Sequence, residues 1–185
     1  TTTESSSPIY INNGVTALTS ISATTKDSDV SIIFAPGTFA FTSSTDTLVL
    51  PGGANLNVTF SNTNGGITQN GLNVGTGNLT LTASGAITQS GSSIIANKAF
   101  LTAGTSIGAA GAGNSIETNV AELILTASNG GIYVNEANAV ILTAAASGTT
   151  KDVSVVSAAG NMTLQTVTAT GAVTLTAAGS LLDGN

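Results

Sequence analysis

Apolar and polar residues alternate along this chain in short runs with a period of two. Asn78-Leu-Thr-Leu-Thr82, Asn161-Met-Thr-Leu-Gln165 and Ala172-Val-Thr-Leu-Thr176 all follow it, the pattern of a half-buried strand rather than a helix. Such strands put Leu79 and Leu81 inward and Thr80 and Thr82 outward. Clusters of Gly, Ser and Asn interrupt the pattern about every 5–8 residues, which is the chemistry of corners. One segment also fits a helical turn, since Val120, Leu123 and Ile124 stand at i, i+3 and i+4. Leu123 and Leu125 nevertheless fall on strand positions of the repeat described next, and Thr, Ser and Gly follow closely. The segment reads as strand.

The strands recur in a frame. Leu81-Thr-Ala-Ser-Gly-Ala-Ile87 returns as Leu101-Thr-Ala-Gly-Thr-Ser-Ile107 and as Leu175-Thr-Ala-Ala-Gly-Ser-Leu181. Leu125-Thr-Ala-Ser-Asn-Gly-Gly-Ile132 is a copy with one extra residue, and Leu142-Thr-Ala-Ala starts a fifth. A second motif keeps the same step: Gly65-Gly-Ile-Thr-Gln-Asn-Gly71 recurs as Gly85-Ala-Ile-Thr-Gln-Ser-Gly91, 20 residues on. Later steps are 24 residues to Leu125 and 17 to Leu142, and the 33 residues from Leu142 to Leu175 hold one long coil or two short ones around Leu164.

Short strands recurring every ~20 residues stack coil on coil as a parallel β-solenoid. Each coil adds a rung about 4.8 Å above the last, so like residues come to lie over one another. The expected inner stacks are Ile67/Ile87/Ile107 and Phe60/Leu81/Leu101/Leu125/Leu142. The predicted fold is therefore all-β, with a repetitive parallel β-helix over residues 52–185. Residues 1–51 are less regular. They carry three of the five phenylalanines (Phe34, Phe39, Phe41) and Pro-Gly turns, and they read as a β-rich cap or as wider first coils of the same domain. The C-terminal Leu181–Asn185 shows no such change of character, which suggests a piece of a longer array whose last rung can associate end to end.

Composition narrows the function. Thr and Ser together make 52 of 185 residues, charged residues are 6%, and there is no Arg, His, Cys or Trp. Stacked like charges destabilise neighbouring strands whereas Thr, Ser and Asn do not, so low charge suits a solenoid. Three cations against nine acids exclude nucleic-acid binding through a basic surface. Without His or Cys, the common zinc and iron–sulfur sites and a His-based triad cannot be built. No run approaches the ~18 apolar residues of a membrane span, and Thr1–Pro8 has neither the basic nor the apolar part of a signal peptide.

The Leu-Thr-Ala-x-Gly-x-Ile frame, with Asn78-Leu-Thr-Leu-Thr82 and Gly85-Ala-Ile-Thr-Gln-Ser-Gly91, resembles the shafts of filamentous-haemagglutinin-like exoproteins and related giant bacterial adhesins. The resemblance covers about residues 52–185. It implies a right-handed parallel β-helix, exported from Gram-negative cells to hold adhesive regions away from the surface. The family's secretion domain carries Asn-Pro-Asn motifs. Here the prolines are Pro8, Pro36 and Pro51, none of them in that setting, so this is not recognisably the secretion domain.

Candidate chemistry is sparse. Polysaccharide lyases and hydrolases are often built on β-helices, and the hydrolases need paired carboxylates. Asp27 and Asp29 are the one close acidic pair. Lys26-Asp-Ser-Asp29 reads better as a solvated turn, since Thr24-Thr-Lys-Asp27 returns as Thr149-Thr-Lys-Asp152, and calcium would want 6–8 oxygens. Three Asn-x-Thr sequons, at Asn57, Asn78 and Asn161, all begin the same kind of strand, where Asn is expected at a corner. Tyr133 should point outward if Ile132 and Val134 point in, where it could touch a glycan. Outward Thr80, Thr82, Thr102 and Thr126 could form the ranks of an ice-binding solenoid, although unequal coils would spoil a flat lattice. No catalytic residue, cofactor or metal site is expected. The leading expectation is a structural and adhesive segment of a secreted or surface-attached bacterial exoprotein, whose partners are glycans or proteins of another cell or matrix. A carbohydrate-binding or carbohydrate-degrading β-helix and an ice-binding solenoid are the alternatives.

Overall fold

The computed structural model describes residues 9–13, 30–34, 39–40, 57–62, 66–69 and 71–185. Every regular element among them is a strand, and every named pairing is parallel. The strands are β1 (Ile9–Asn13), β2 (Val30–Phe34), β3 (Phe39–Ala40), β4 (Val58–Asn62), β5 (Ile67–Gln69), β6 (Asn78–Ala83), β7 (Ile87–Gln89) and β8 (Ile94–Ala103). They continue as β9 (Ile116–Ala127), β10 (Ile132–Glu136), β11 (Val140–Ala146), β12 (Val153–Ser157), β13 (Met162–Ala169), β14 (Val173–Ala177) and β15 (Leu181–Asp183). Asn119–Leu125 is strand throughout, inside β9.

Rungs run down the molecule along three tracks. One links β1, β2, β4, β6, β8 and the second half of β9 to β11, β13 and β15. A second leaves the first half of β9 and passes through β10 and β12 to β14. The third joins β3, β5 and β7. The architecture is a parallel β-solenoid with a step near twenty residues, as the repeat requires.

The inner stacks follow the frame. Ile67 lies over Ile87, Ile107, Ile132 and Val153, each at most 1% exposed. Phe60, Leu81, Leu101 and Leu125 form the second stack, all with no exposed surface. The Ala of Leu-Thr-Ala makes a third, from Ala83 through Ala103, Ala127 and Ala146. At the corner that follows, coils approach so closely that a Cβ on Gly104 would lie 2.0 Å from the Ser84 carbonyl oxygen.

Two expected positions are corrected. Leu142 does not continue the Leu125 stack. It pairs with Leu123, two places earlier, and Ala144 takes the place beneath Leu125. Leu175 is on another track altogether, beneath Val155, while Leu164 is the partner of Leu142. One coil therefore joins Leu142 to Leu164. Leu175-Thr-Ala-Ala repeats the letters of the frame on a different face, because an inward–outward–inward strand running into a turn has the same composition at any corner.

Candidate functional site

Among the described residues the solenoid interior is apolar except at a few buried polar residues: Gln69, Thr118, Glu136 and Ser157. Three of these form one inward column, in which Glu136 lies between Thr118 above and Ser157 below. The pleat put them there. Ile132, Val134 and Glu136 share a face of β10, and all three are buried. Alternation in Ile-Tyr-Val-Asn-Glu136 was the available signal for a buried acid, and sequence reasoning passed over it.

Glu136 is held by donors alone. The Thr118 hydroxyl donates to Oε2 at 2.7 Å. The Val120 amide donates to the carboxylate at 3.1 and 3.2 Å, and the Asn138 amide donates to Oε1 at 3.0 Å. Burial pushes the Glu136 carboxyl above its ordinary range, against the opposing pull of the Thr118 hydroxyl and of the Asn138, Val120 and Ala137 amides. Ser157 closes the column by donating to the Asn138 and Ala159 carbonyls at 2.7 and 3.0 Å.

Side-chain oxygens accept from backbone amides of the neighbouring coil at other corners too. Gln89 Oε1 accepts from the Glu117 amide at 2.8 Å, Asp152 Oδ1 from Ala172 at 2.8 Å, and Asn161 Oδ1 from Ser180 at 2.9 Å. Asn57 Oδ1 accepts from the Asn78 amide at 3.1 Å. Two of the three sequon asparagines are thus corner fasteners. Asp152, in the second copy of the Thr-Thr-Lys-Asp motif, is another. Asp27 and Asp29 lie outside the described residues.

The outer surface is Thr-rich but uneven. Thr82, Thr102 and Thr126 are in register, and Ala145 follows them. The neighbouring row changes from Thr80 to Phe100 and Ile124 before returning to Thr143. Lys98 stacks on Glu122 as an ion pair, so the charges adjacent in that row are opposite. Tyr133 points outward between buried Ile132 and Val134, and its ring lies against Gly131, where a Cβ would come within 2.7 Å of it.

No group of three or more His, Cys, Asp or Glu able to hold a metal occurs among the described residues. Glu136 has no exposed surface, so in this conformation it cannot meet a polysaccharide. No helix among the described residues is long and apolar enough to cross a membrane. Comparison with family models, curated proteins and solved structures finds no match for the chain. What the fold itself defines is a parallel β-solenoid whose buried acid, Glu136, accepts from its own backbone and from Thr118.

Proposed function

We propose that this chain is a structural and adhesive segment of a secreted or surface-attached bacterial β-helical exoprotein, and that it performs no catalysis. One observation carries the reading. From Phe60 to Leu125 and from Ile67 to Val153 the coils repeat in register around a largely apolar core, which makes a rod that lengthens by adding coils. The outer rows of Thr, Ser and Asn, with Phe100, Ile124 and Tyr133 among them, suit contact with glycans or proteins of another cell or matrix. The resemblance of the repeat to haemagglutinin-like shafts supports the same reading and an extracellular or cell-surface location.

The test has two arms. Beads coated with the protein are offered to bacterial and epithelial cell layers and to a glycan panel. Retention above albumin-coated beads is expected, and equal retention would end the adhesive half. The reading frame on either side should contain more copies of the Leu-Thr-Ala frame; their absence would end the shaft half. Ice binding is a second reading, favoured by the in-register Thr82, Thr102 and Thr126. Thermal hysteresis in the purified protein would establish it.

A further inference from the structure

The buried column around Glu136 lies where the solenoid changes its path. β9 runs straight through, whereas the chain beneath it divides into β10 and β11. Thr118 pairs with Glu136 and Glu122 with Ile141, so the three β9 residues 119–121 face four residues, 137–140. The rung cannot close over that mismatch. The Val120 amide turns instead to the Glu136 carboxylate, and so does the Asn138 amide from the extra turn.

We propose that Glu136 is a proton-operated switch at this junction, with the Thr118 hydroxyl reversing its hydrogen bond as the proton is taken up. In the ionised state three donors converge on an acceptor-only group. In the neutral state the proton sits on Oε2 and is donated to Thr118 Oγ1. The Thr118 hydrogen then turns to the Asn135 carbonyl, which lies 3.4 Å from that oxygen. Val120 and Asn138 keep Oε1 as their acceptor. Both states therefore satisfy every group within one fold, and the proton changes the corner's stability rather than breaking it.

Among the described residues no other charge is buried. On β9, Glu117 faces outward with its Oε1 held by Asn135 at 2.8 Å, and Glu122 is paired with Lys98. Tyr133 on β10 is outward, β11 carries no titratable group, and β12 presents Ser157. Burial raises the carboxyl, so the folded state holds this proton more tightly than the unfolded chain does, whose reference value is 4.5. The resulting stabilisation is complete below that value and is lost as pH rises through the folded-state midpoint. This corner tightens in mild acid.

The test is a carbon-NMR titration of the glutamate carboxyl groups in the intact protein. Denaturant melts from about pH 8 to about pH 4 accompany it. The Glu136 midpoint should lie above 4.5. Between the two midpoints the folded-to-unfolded ratio should rise on acidification by up to about tenfold per pH unit from this proton. Glu136→Gln, the neutral isostere, identifies the resonance and should remove that part of the pH dependence. Thr118→Val removes a charge-assisted bond to the ionised form and only a weaker neutral bond to the protonated form, so it should move the midpoint further up. A midpoint at or below 4.5, or one that Thr118→Val leaves in place, overturns the proposal. Sequential backbone-to-side-chain assignment identifies the same resonance in the unaltered protein, so its midpoint can overturn the proposal even if neither variant folds.

Discussion

Thr118 and Glu136 stand 18 residues apart in sequence and share a 2.7 Å hydrogen bond in the interior. The acid is there because the Val120 amide and the Thr118 hydroxyl would otherwise face the interior without an acceptor; the Asn138 amide it also receives belongs to an exposed turn. Glu136→Ala should therefore cost about 1–3 kcal/mol for each donor it orphans. Glu122→Ala removes only a surface partner of Lys98 and should cost within about 1 kcal/mol. Urea melts of the two variants at neutral pH compare an interior acid with an exterior one. Equal losses would show that the buried acceptor does not hold the corner.

Leu101 lies in register between Leu81 and Leu125, with no exposed surface. Leu101→Ala should lose about 2–5 kcal/mol through lost burial and the cavity left behind. Leu101→Asp should unfold several coils, since a carboxylate there would meet no donor. Thr102→Asp, one place along and facing solvent, should be nearly neutral. Circular dichroism during denaturation distinguishes them, and a neutral Leu101→Asp would contradict the inward stack.

The repeat was legible because it is written in residues whose place is set by the pleat. Leu81, Leu101 and Leu125 recur with a corner after each, and Ile87, Ile107 and Ile132 follow on the next face. Where the frame misled, at Leu142 and Leu175, the letters were right and the face was wrong. A strand of the form inward–outward–inward carries no mark of which side of the coil it belongs to. Unequal coils then shift the count, and only backbone pairing fixes it. Glu136 was hidden for a related reason: a charged residue reads as surface unless its pleat is followed to the end of the strand. The need for a buried acceptor arises from the mismatch between β9 and the two strands beneath it, which no local pattern records.

Protease sensitivity should follow the same division between rung and corner. Lys98 is in the middle of β8, stacked on Glu122. Lys151 follows an exposed turn in which Thr150 has a φ of 53°, a conformation unfavourable to a β-branched residue. Trypsin needs an extended, detachable segment, and corners detach more readily than central rungs. Of these two sites, the first cut should fall after Lys151, with cleavage after Lys98 appearing only as the whole stack unfolds. Timed digestion with mass spectrometry reads the order directly. Early cleavage after Lys98 would mean that β8 opens on its own.

The last rungs of this chain should be adhesive to one another. Among the described residues β14 pairs only with β12, and β15 only with β13, so each presents a row of backbone donors and acceptors that no described strand meets. Inner apolar side chains at that end are also uncovered: Val173 is 49% exposed and Leu181 50%, although their counterparts Val153 and Met162 one coil earlier are buried completely. Sheet edges are kept from pairing by lysine, proline or bulges. From Leu164 to Asn185 there is no Lys or Pro, and Asp183 is the one charge; its Oδ1 already accepts from the Asn185 amide at 3.0 Å. Weak, concentration-dependent association through this edge is the expected behaviour. Leu181→Lys places a charge on the last strand, beneath Met162, and should shift the protein toward monomer while leaving the stacks above Met162 in place. Sedimentation of both proteins over a concentration series measures the difference. If the unaltered protein remains monomeric at the highest concentration, exposed backbone and two uncovered inner side chains are not enough to drive pairing. The edge would then have to be shielded by part of the chain itself.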